Sequence, residues 1–267
     1  MKKLAVIGYG ALGKILVSAV LDQLATEYEL RGILDLVLGQ GAIEVGGRKV
    51  RTYGDIEELL SDDPDLVVEI AGVGAVKEYG SAILRSGRDL VITSVGSLAD
   101  EDLLEELRES ARENGRKVHL TSGAIGGFDL LRTIYMMGGA RASIRSTKKP
   151  KSLNGAPYLS GRNLPEDRRC LVFEGSAREA IQGFPKNTNV SVAAGLASTG
   201  ADRLAVEIIS DPDSPGNSHR LENENDRAQA RIEVVAKPDP KNPRSSVTAA
   251  WSVVALLANL ADPVQLF

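Results

Sequence analysis

The stretch LAVIGYGALG at residues 4–13 decides the fold of the amino-terminal half of this chain. Its four leading apolar residues predict a buried strand, and the pattern G-x-G-x-x-G follows them at the start of a predicted helix. Gly8 permits a tight turn, Gly10 lets the backbone approach a pyrophosphate, and Gly13 allows the helix to pack closely on the strand. The helix start at Ala11 and Leu12 offers free N–H groups to phosphates. This stretch therefore predicts a dinucleotide-binding unit.

An acidic residue follows the glycine pattern at the spacing that ribose recognition requires. Asp35 lies near the end of the second predicted strand, at 30–37, and comes 22 residues after Gly13. Its carboxylate is placed to accept hydrogen bonds from a ribose 2′-hydroxyl. The next residues are Leu-Val-Leu, with no adjacent arginine for a 2′-phosphate. The sequence therefore favours NAD, with NADP as the alternative.

The first half of the chain alternates apolar runs with segments of helical period. Strands and helices are predicted at 4–8, 11–24, 30–37, 50–53, 55–60, 66–70, 76–86, 90–94, 100–114 and 117–121. This alternation predicts a Rossmann-type, doubly wound parallel sheet with helices on both faces. Ala71, Ser94 and Val95 come at the carboxyl ends of two successive strands, where the cofactor crevice of such a sheet lies. We expect all three residues to contact the cofactor.

The pattern changes after about Ser122. We predict helices at 128–137 and 190–198, a polar loop at 152–169, and strands at 142–148, 204–209, 218–222 and 229–236. Consecutive strands with turn-rich links predict a second domain of α+β type with a mostly antiparallel sheet. A closing helix at 246–260 is apolar on most sides and needs burial. We therefore predict a dinucleotide-binding domain at 1–123, an α+β domain at 124–240, and a C-terminal helix in 241–267 that packs back on the first domain.

Composition excludes several classes of protein. The chain has 267 residues, of which 43% are hydrophobic and 25% charged, as in ordinary globular proteins. A net charge of −4 leaves no surplus of basic residues for binding nucleic acid. No uncharged stretch is predicted to span a membrane. The single cysteine, Cys170, excludes an intramolecular disulfide and a multi-cysteine zinc site, and we expect no metal. Glycines interrupt the apolar N-terminus too early for a signal peptide, so we expect a cytoplasmic protein.

Two histidines are the candidates for acid–base chemistry. His119 lies within an apolar strand and is interpreted as structural. His219 lies two residues after Asn217, so both side chains point to the same face if this segment is a strand. A histidine beside a carboxamide suits proton transfer or the binding of a substrate carbonyl. A surface histidine in a hairpin is the alternative.

Two further segments have the character of anion sites. The loop SGAIGG at 122–127 is made of small residues and leads into a helix. The segment FPKNTN at 184–189 precedes another helix, whose free N–H groups together with Lys186 suit a carboxylate. A domain hinge is the alternative for the first segment, and helix capping by Asn187 or Thr188 is the alternative for the second.

The chain resembles the L-aspartate dehydrogenase family in motifs spread over nearly its whole length. The matching stretches are GYGALG at 8–13, EIA at 69–71, SVG at 94–96, SGAIGG at 122–127, the segment at 147–150, FPKNTNV at 184–190, NSH at 217–219 and NPRSS at 242–246. The resemblance implies reversible, NAD(P)-dependent oxidative deamination of L-aspartate to iminoaspartate. Iminoaspartate hydrolyses to oxaloacetate and ammonia, or feeds NAD biosynthesis.

The resemblance also implies that the domain at 124–240 is the catalytic and dimerisation domain, and it implies roles for particular residues. His219 corresponds to the catalytic histidine of the family, with Asn217 beside it, and the chain is expected to form a homodimer. Cofactor contacts are expected at Ala124 and Asn189. The residues expected to hold the two carboxylates of aspartate, bound between the domains, are Ser122, Gly123, Lys186 and Asn187. The chain departs from the family in lacking the arginine that often follows the acidic residue of the second strand.

Two other interpretations remain at this point. One is another two-domain Rossmann oxidoreductase, resembling dihydrodipicolinate reductase or homoserine dehydrogenase, since the glycine pattern fits all three enzymes. The other is a non-catalytic module that senses a dinucleotide and assembles through its second domain. The FPKNTNV and NSH segments favour the aspartate interpretation.

Overall fold

The computed structural model of the chain describes residues 1–237 and 247–265. The NPRSS segment at 242–246 therefore lies outside the described residues. The strands are β1 Lys2–Ile7, β2 Tyr28–Leu34, β3 Gly41–Val45, β4 Arg48–Tyr53, β5 Leu66–Glu69, β6 Asp89–Ile92, β7 Val118–Leu120, β8 Arg141–Lys148, β9 Cys170–Ser176, β10 Ala205–Ser210, β11 Asn217–Glu224 and β12 Gln229–Ala236. The helices are α1 Ala11–Gln23, α2 Ile56–Ser61, α3 Val73–Arg85, α4 Glu101–Glu113, α5 Phe128–Met136, α6 Pro150–Leu153, α7 Ala177–Gly183, α8 Asn189–Ala197 and α9 Val247–Ala261.

The chain divides into two compact units. The first contains residues 1–121 and the closing segment from Ala249 onward, and the second contains Ser122–Thr248. The predicted boundary after residue 123 lies two residues beyond this division. The closing helix α9 belongs largely to the first unit, and the core of that unit includes its residues Val253 and Leu257.

The first unit contains a seven-stranded sheet of order β3-β4-β2-β1-β5-β6-β7. The strands from β4 to β7 pair in parallel, and only the edge pair β3–β4 of this sheet is antiparallel. The chain winds outward from β1 in one direction to β2 and β4, and in the other direction to β5, β6 and β7. This is the strand order of a Rossmann-type sheet, with its switch point at β1, and it confirms the predicted fold class.

Alternate residues of the central strands pack on opposite layers of helices. Leu4 and Val6 of β1 belong to a core cluster with residues of α1 and α9. The opposite face meets α3, where a Cβ on Gly80 would lie 3.7 Å from the Leu90 side chain of β6. Tyr28 of β2 is buried and donates a hydrogen bond of 2.9 Å from its hydroxyl to the Leu257 carbonyl of α9. Both faces of the sheet are therefore covered by helices.

The structure differs from the sequence prediction at two places in the first unit. Strand β2 ends at Leu34, whereas we predicted a strand to residue 37, and Leu36 and Val37 are 76% and 95% exposed. The Asp35 carboxylate accepts a hydrogen bond from Val37 N and so turns the chain immediately after the strand. Strand β3 was not predicted. It is an edge strand with mostly exposed residues, so it lacks the apolar pattern of a buried strand.

The second unit contains a five-stranded sheet of order β12-β11-β8-β10-β9. Three of its pairs are antiparallel, as predicted, and the pair β8–β10 is parallel. We predicted neither β9 nor α7, and we predicted a loop over 152–169 that in fact contains the end of α6 and a 3-10 turn at Pro157–Leu159. Helix α7 begins with a capping box in which Ser176 and Glu179 satisfy each other's backbone N–H groups.

One face of this second sheet forms a core with the helices of the unit. Leu131 of α5, Ala180 of α7 and Ala194 of α8 belong to the same cluster as Ile144 of β8 and Leu221 of β11. The aromatic rings of Tyr158, Phe173 and Phe184 pack together at one side of this core, and the centroids of the two phenylalanine rings lie 5.9 Å apart. The strands therefore present one apolar face inward, and any polar residue on that face needs a separate explanation.

Among the described residues, every helix is too short or insufficiently apolar to span a bilayer.

Candidate functional site

The glycine loop of the first unit joins β1 to α1, and packing requires two of its three glycines. Gly8 has φ of +103°, and a Cβ there would lie 2.7 Å from the Ala71 Cα. A Cβ on Gly13 would lie 2.3 Å from the Gly8 carbonyl oxygen. A Cβ on Gly10 would meet nothing within 4 Å. The turn is thus closed by packing at Gly8 and Gly13 and has open space beside Gly10.

Helix α1 begins in a way that leaves its first N–H groups available. Gly10 is the N-cap residue and has no side chain to bond the first turn. Gly10 and Ala11 are exposed, and Leu12 is half-buried. The N–H groups of a first helical turn have no partner within the helix, and the helix dipole gives them a partial positive charge. The residues of this loop fit the pyrophosphate of a dinucleotide.

Asp35 lies beside the glycine loop, and backbone N–H groups orient its carboxylate. Oδ2 accepts a hydrogen bond of 2.7 Å from Tyr9 N, inside the loop. Oδ1 accepts bonds of 3.0 and 3.3 Å from Val37 N and Leu38 N. A carboxylate has about four lone-pair positions, so these three bonds leave one on Oδ2 for a ligand. The loop therefore holds the carboxylate in one orientation beside the predicted phosphate site.

Glu69 joins the carboxyl ends of β5 and β6, a role that the sequence did not predict. Its side chain is 1% exposed. Oε1 accepts hydrogen bonds of 2.8 Å from Ala71 N, Gly72 N and Ser94 Oγ, and Oε2 accepts one of 3.0 Å from Ser94 N. Burial raises the pKa of the Glu69 carboxyl, and these hydrogen bonds oppose the rise. A glutamate at the end of a buried apolar strand was the signal in the sequence.

The three predicted contacts at these strand ends occupy different environments. Ala71 is exposed, and its N–H is bonded to Glu69. Ser94 is buried and uses its hydroxyl proton on Glu69, so it has only oxygen lone pairs to offer a ligand. Val95 is buried and begins a 3-10 turn at Val95–Ala99. All three lie at the carboxyl ends of adjacent strands, as the sequence analysis expected.

The second unit places His219 on the inward face of its sheet. The residue is 2% exposed, and its Nδ1 lies 2.8 Å from the hydroxyl oxygen of Ser146. The two residues are directly paired across β11 and β8. No described residue makes a hydrogen bond to the other ring nitrogen, Nε2. Asn217 lies two positions earlier on β11, so it faces the same side.

Lys148 is the second buried titratable residue on this face. It is 6% exposed and ends β8, two positions after Ser146. Ser210 pairs with it on β10 and is fully buried. Burial lowers the pKa of the Lys148 ammonium to about 8. Burial also lowers the pKa of His219 to about 3, and repulsion from Lys148 contributes to that fall.

These residues form a polar patch at one end of the inward sheet face, and the buried Asn223 at the other end of β11 donates a hydrogen bond to the Leu131 carbonyl. We call this patch the polar end, and its members are Ser146, Lys148, Ser210, Asn217 and His219. Only Asn217 and His219 were predicted as site residues. The signal for Ser146 and Lys148 was present in β8, where these two residues continue the inward positions of Ala142 and Ile144. Near neutral pH the polar end holds a neutral imidazole and a largely protonated ammonium.

The SGAIGG segment opens the second unit. Ser122 and Gly123 are half-buried, and Gly123 has φ of +67°. Ala124 is buried within the core cluster of the unit. Gly127 then caps the start of α5. The segment is therefore a tight turn whose small residues pack closely.

The residues of the second predicted anion segment differ in exposure. The Lys186 side chain is exposed. Asn187 donates a hydrogen bond of 3.1 Å from Nδ2 to the Ser152 carbonyl, which uses part of its amide. Asn189 is the half-buried first residue of α8. Thr188, the alternative cap, makes no side-chain bond to the helix and instead donates to the Phe184 carbonyl.

Two further expectations concern residues outside these patches. His119 is half-buried in β7, and burial lowers its pKa. Over residues 1–237 and 247–265, no cluster of three or more histidine, cysteine, aspartate or glutamate side chains is arranged to hold a metal ion.

Comparisons with known families match both units. A family model described as "Homoserine dehydrogenase, NAD binding domain" matches residues 8–121. A second model, described as "Aspartate dehydrogenase, C-terminal", matches residues 129–260 and so covers the polar end. The first unit is therefore of a type shared among dehydrogenases, and the second unit carries the more specific match.

Full-length relatives give the same result. The chain is 34% identical to an L-aspartate dehydrogenase of Methanocaldococcus jannaschii, over 99% of both chains. It is 35% identical to an L-aspartate dehydrogenase of Acinetobacter baylyi, over 100% of both. A crystal structure of aspartate dehydrogenase from Thermotoga maritima covers the whole chain with a TM-score of 0.79 and 27% identity. This chain belongs to the aspartate dehydrogenase family.

Proposed function

We propose that this protein is an L-aspartate dehydrogenase, which oxidises L-aspartate to iminoaspartate with NAD or NADP. Family membership supports the reaction, and one structural observation carries the site. His219 is a buried imidazole on the inward face of a sheet, held by Ser146 and accompanied by a buried cation, Lys148. The inward face of a sheet is normally apolar, so buried titratable side chains on it indicate a functional site.

The first unit supplies the cofactor site in this proposal. The N–H groups of Gly10, Ala11 and Leu12 would hold the pyrophosphate, and Asp35 would accept a hydrogen bond from the adenosine ribose. When bound, the nicotinamide supplies a two-electron acceptor for the hydride on the aspartate α-carbon. A negative Asp35 disfavours the 2′-phosphate of NADP, which supports NAD as the preferred cofactor.

The second unit supplies the amino-acid site. L-Aspartate reaches the enzyme with a protonated α-amine, which must lose its proton before the α-carbon gives up hydride. In the tautomer whose Nδ1–H donates to Ser146 Oγ, Nε2 of His219 has the free lone pair for that amine. Because the pKa of His219 is lowered to about 3, the free imidazole is neutral at pH 7 and accepts a hydrogen bond. His219 thus orients the amine and takes up its proton when substrate charge raises the basicity of the ring.

The remaining steps are the formation of the imine and its hydrolysis by water. Loss of one proton and one hydride converts L-aspartate to protonated iminoaspartate. Water then adds to the C=N bond, and ammonia leaves to give oxaloacetate. Asn217 faces the same side of β11 as His219, so its carboxamide suits the positioning of this water. Ser122, Gly123, Lys186 and Asn187 remain proposed contacts for the substrate, and Ala124 and Asn189 remain proposed contacts for the cofactor.

We infer that the protein pairs as a homodimer through the outward face of the second sheet. This face alternates opposite charges, with ion pairs between Arg145 and Glu207 and between Arg231 and Glu222. A two-fold interface requires a self-complementary surface, and alternating charges provide one. Light scattering coupled to size exclusion tests the inference, because a mass of one chain would contradict it.

One assay tests the function. Formation of reduced nicotinamide is followed with L-aspartate, D-aspartate, L-glutamate, L-homoserine and L-alanine, each with NAD and with NADP. We expect turnover specific for L-aspartate. Turnover of L-homoserine in its place would indicate the homoserine-dehydrogenase-like alternative. Cofactor binding without turnover of any amino acid would indicate the sensing module.

A further inference from the structure

Lys148 is a buried cation without a counter-charge in the described part of the chain. It occupies an inward position of β8, in line with Ala142, Ile144 and Ser146. No hydrogen bond or ion pair joins its Nζ to any described residue. The carboxylates of the same sheet that form ion pairs, such as Glu207 and Glu222, lie on the outward face and pair with arginines there.

A buried, unpaired ammonium is costly to the fold. A methionine of similar length would fill the same position at lower cost, because it requires no desolvation of a charge. Burial lowers the pKa of Lys148 to about 8, so most of the population still carries the charge at pH 7. The fold thus maintains a positive charge where its own stability gains nothing, which is typical of a group that binds an anion.

The neighbours of Lys148 indicate the chemistry of that anion. Ser210 pairs with Lys148 across β10 and β8, and its fully buried hydroxyl has no hydrogen-bond partner among the described residues. Paired residues on adjacent strands lie about 5 Å apart, and alternate residues on one strand about 7 Å apart. An ammonium and a hydroxyl at this spacing offer two donors to the two oxygens of one carboxylate.

His219 lies within reach of the same small ligand. It pairs with Ser146, and Ser146 lies two positions before Lys148 on the same face of β8. The interaction is also electrostatic, because Lys148 contributes to the low pKa of His219. An anion on Lys148 would offset that repulsion and make the imidazole a better proton acceptor.

We propose that Lys148 and Ser210 bind a carboxylate of the substrate, beside the imidazole of His219. The identity of the substrate as an amino dicarboxylate rests on the proposed function. The position of the anion rests on the buried lysine and serine. Lys186, the lysine that the sequence suggested for this task, is exposed and would hold a carboxylate in competition with water.

The experiment compares Lys148→Met with Lys149→Met. Lys149 is the next residue and is exposed, so its variant controls for the loss of one positive charge. Succinate serves as the probe because it has two carboxylates and no amine to oxidise. Calorimetric binding to the NAD-loaded enzyme is expected to weaken about ten- to hundredfold in Lys148→Met and to stay unchanged in Lys149→Met. KM for L-aspartate should rise in parallel.

Thermal unfolding of the apoprotein separates a binding role from a structural one. Lys148→Met should melt at a higher temperature than the parent, because it removes a buried charge, although it binds succinate more weakly. Equal succinate affinity in Lys148→Met and the parent overturns the inference, and so does a parent that binds no succinate. A parent that binds succinate through Lys148 but does not oxidise L-aspartate supports the inference and refutes the proposed function.

Discussion

The hydroxyl oxygen of Ser146 lies 2.8 Å from Nδ1 of His219, although 73 residues separate the two in the chain. The pairing of β8 with β11 places them opposite each other on the inward face of the sheet. This hydrogen bond fixes the plane of the imidazole and leaves Nε2 as the nitrogen that a substrate meets. The position of His219 therefore depends on a residue that has no reactive role of its own.

Replacing Ser146 with alanine should lower kcat about tenfold, because the imidazole loses the bond that orients it. The fold should lose about 1–3 kcal/mol, since Nδ1 becomes a buried polar atom without a partner. Ser143 lies on the opposite face of β8 and provides the matched control, Ser143→Ala. Steady-state kinetics and denaturant unfolding measure both effects. Equal kcat for the two serine variants would refute the orienting role.

His219→Ala should reduce kcat/KM for L-aspartate by about 10²–10⁴-fold, the range for loss of a general acid–base group. His119, the other histidine of the chain, lies half-buried in β7 of the first unit. His119→Ala therefore controls for the removal of an imidazole, and we expect it to keep most of the activity. A His219→Ala enzyme with near-normal kcat/KM would exclude both proton uptake and substrate orientation by this residue.

The features that the sequence predicted well are local ones. The glycine loop is contiguous, and the requirement for Gly8 and Gly13 follows from the turn that they form. Strand β12 has the predicted bounds, because its alternation of residues is regular. The closing helix ends at Ala261, one residue beyond its prediction, and its predicted first residue, Ser246, lies outside the described residues. The order of residues within each segment was enough to predict these features, and the neighbours of the segment in the fold did not have to be known.

The features that the sequence missed depend on which strands become neighbours. Lys148 and Ser210 are ordinary residues in their own segments, and they form a patch only because β10 pairs in parallel with β8. Asp35 was expected to face a ribose, but the structure also bonds it to Tyr9 N of the glycine loop. The exposure of Lys186 and the burial of Lys148 are likewise tertiary properties. The alternation of β8 puts Lys148 in line with Ala142 and Ile144, but only the pairing with β10 and β11 shows which lysine has buried polar neighbours.

Asp35→Asn should shift the cofactor preference towards NADP. The amide oxygen still accepts from Val37 N and Leu38 N, although the acceptor for Tyr9 N is lost, and the change removes the charge that repels a 2′-phosphate. We expect the ratio of kcat/KM with NADP to that with NAD to rise about tenfold, or about 1.4 kcal/mol. Asp22 is exposed on α1, and Asp22→Asn should leave the ratio unchanged. An unaltered ratio in Asp35→Asn would mean that this carboxylate does not face the ribose.

Glu69→Gln should destabilise the first unit although the side chains have nearly the same shape. Both carboxylate oxygens of Glu69 accept hydrogen bonds, from Ala71 N, Gly72 N and Ser94 among others. A glutamine amide would turn its NH₂ group towards some of these donors, which costs about 2–4 kcal/mol at a buried site. Glu57→Gln, at an exposed position of α2, is the control. Matching unfolding curves for the two variants would contradict the role of Glu69 as the link between β5 and β6.

The pKa of Lys148 makes a further prediction about the stability of the apoprotein. Its pKa falls from the ordinary 10.5 to about 8 in the folded chain, because burial penalises the charged form. Between these two values the unfolded chain binds more protons at this residue than the folded chain. The contribution of Lys148 to the free energy of unfolding therefore rises as pH increases from 8 to 10.5.

Lys148→Met removes this titration, so its stability relative to the parent should depend on pH. The variant should have its largest advantage at and below pH 8, where the parent buries a charge. The advantage should shrink by up to about 3 kcal/mol as pH approaches 10.5, where both states of the parent become neutral at this residue. Denaturant unfolding at steps across this range measures the difference, and other groups that titrate there cancel between the two proteins. The free energy of unfolding of Lys149→Met should follow that of the parent across the whole pH range. Parallel curves for Lys148→Met would mean that the ammonium of the free protein already has a partner.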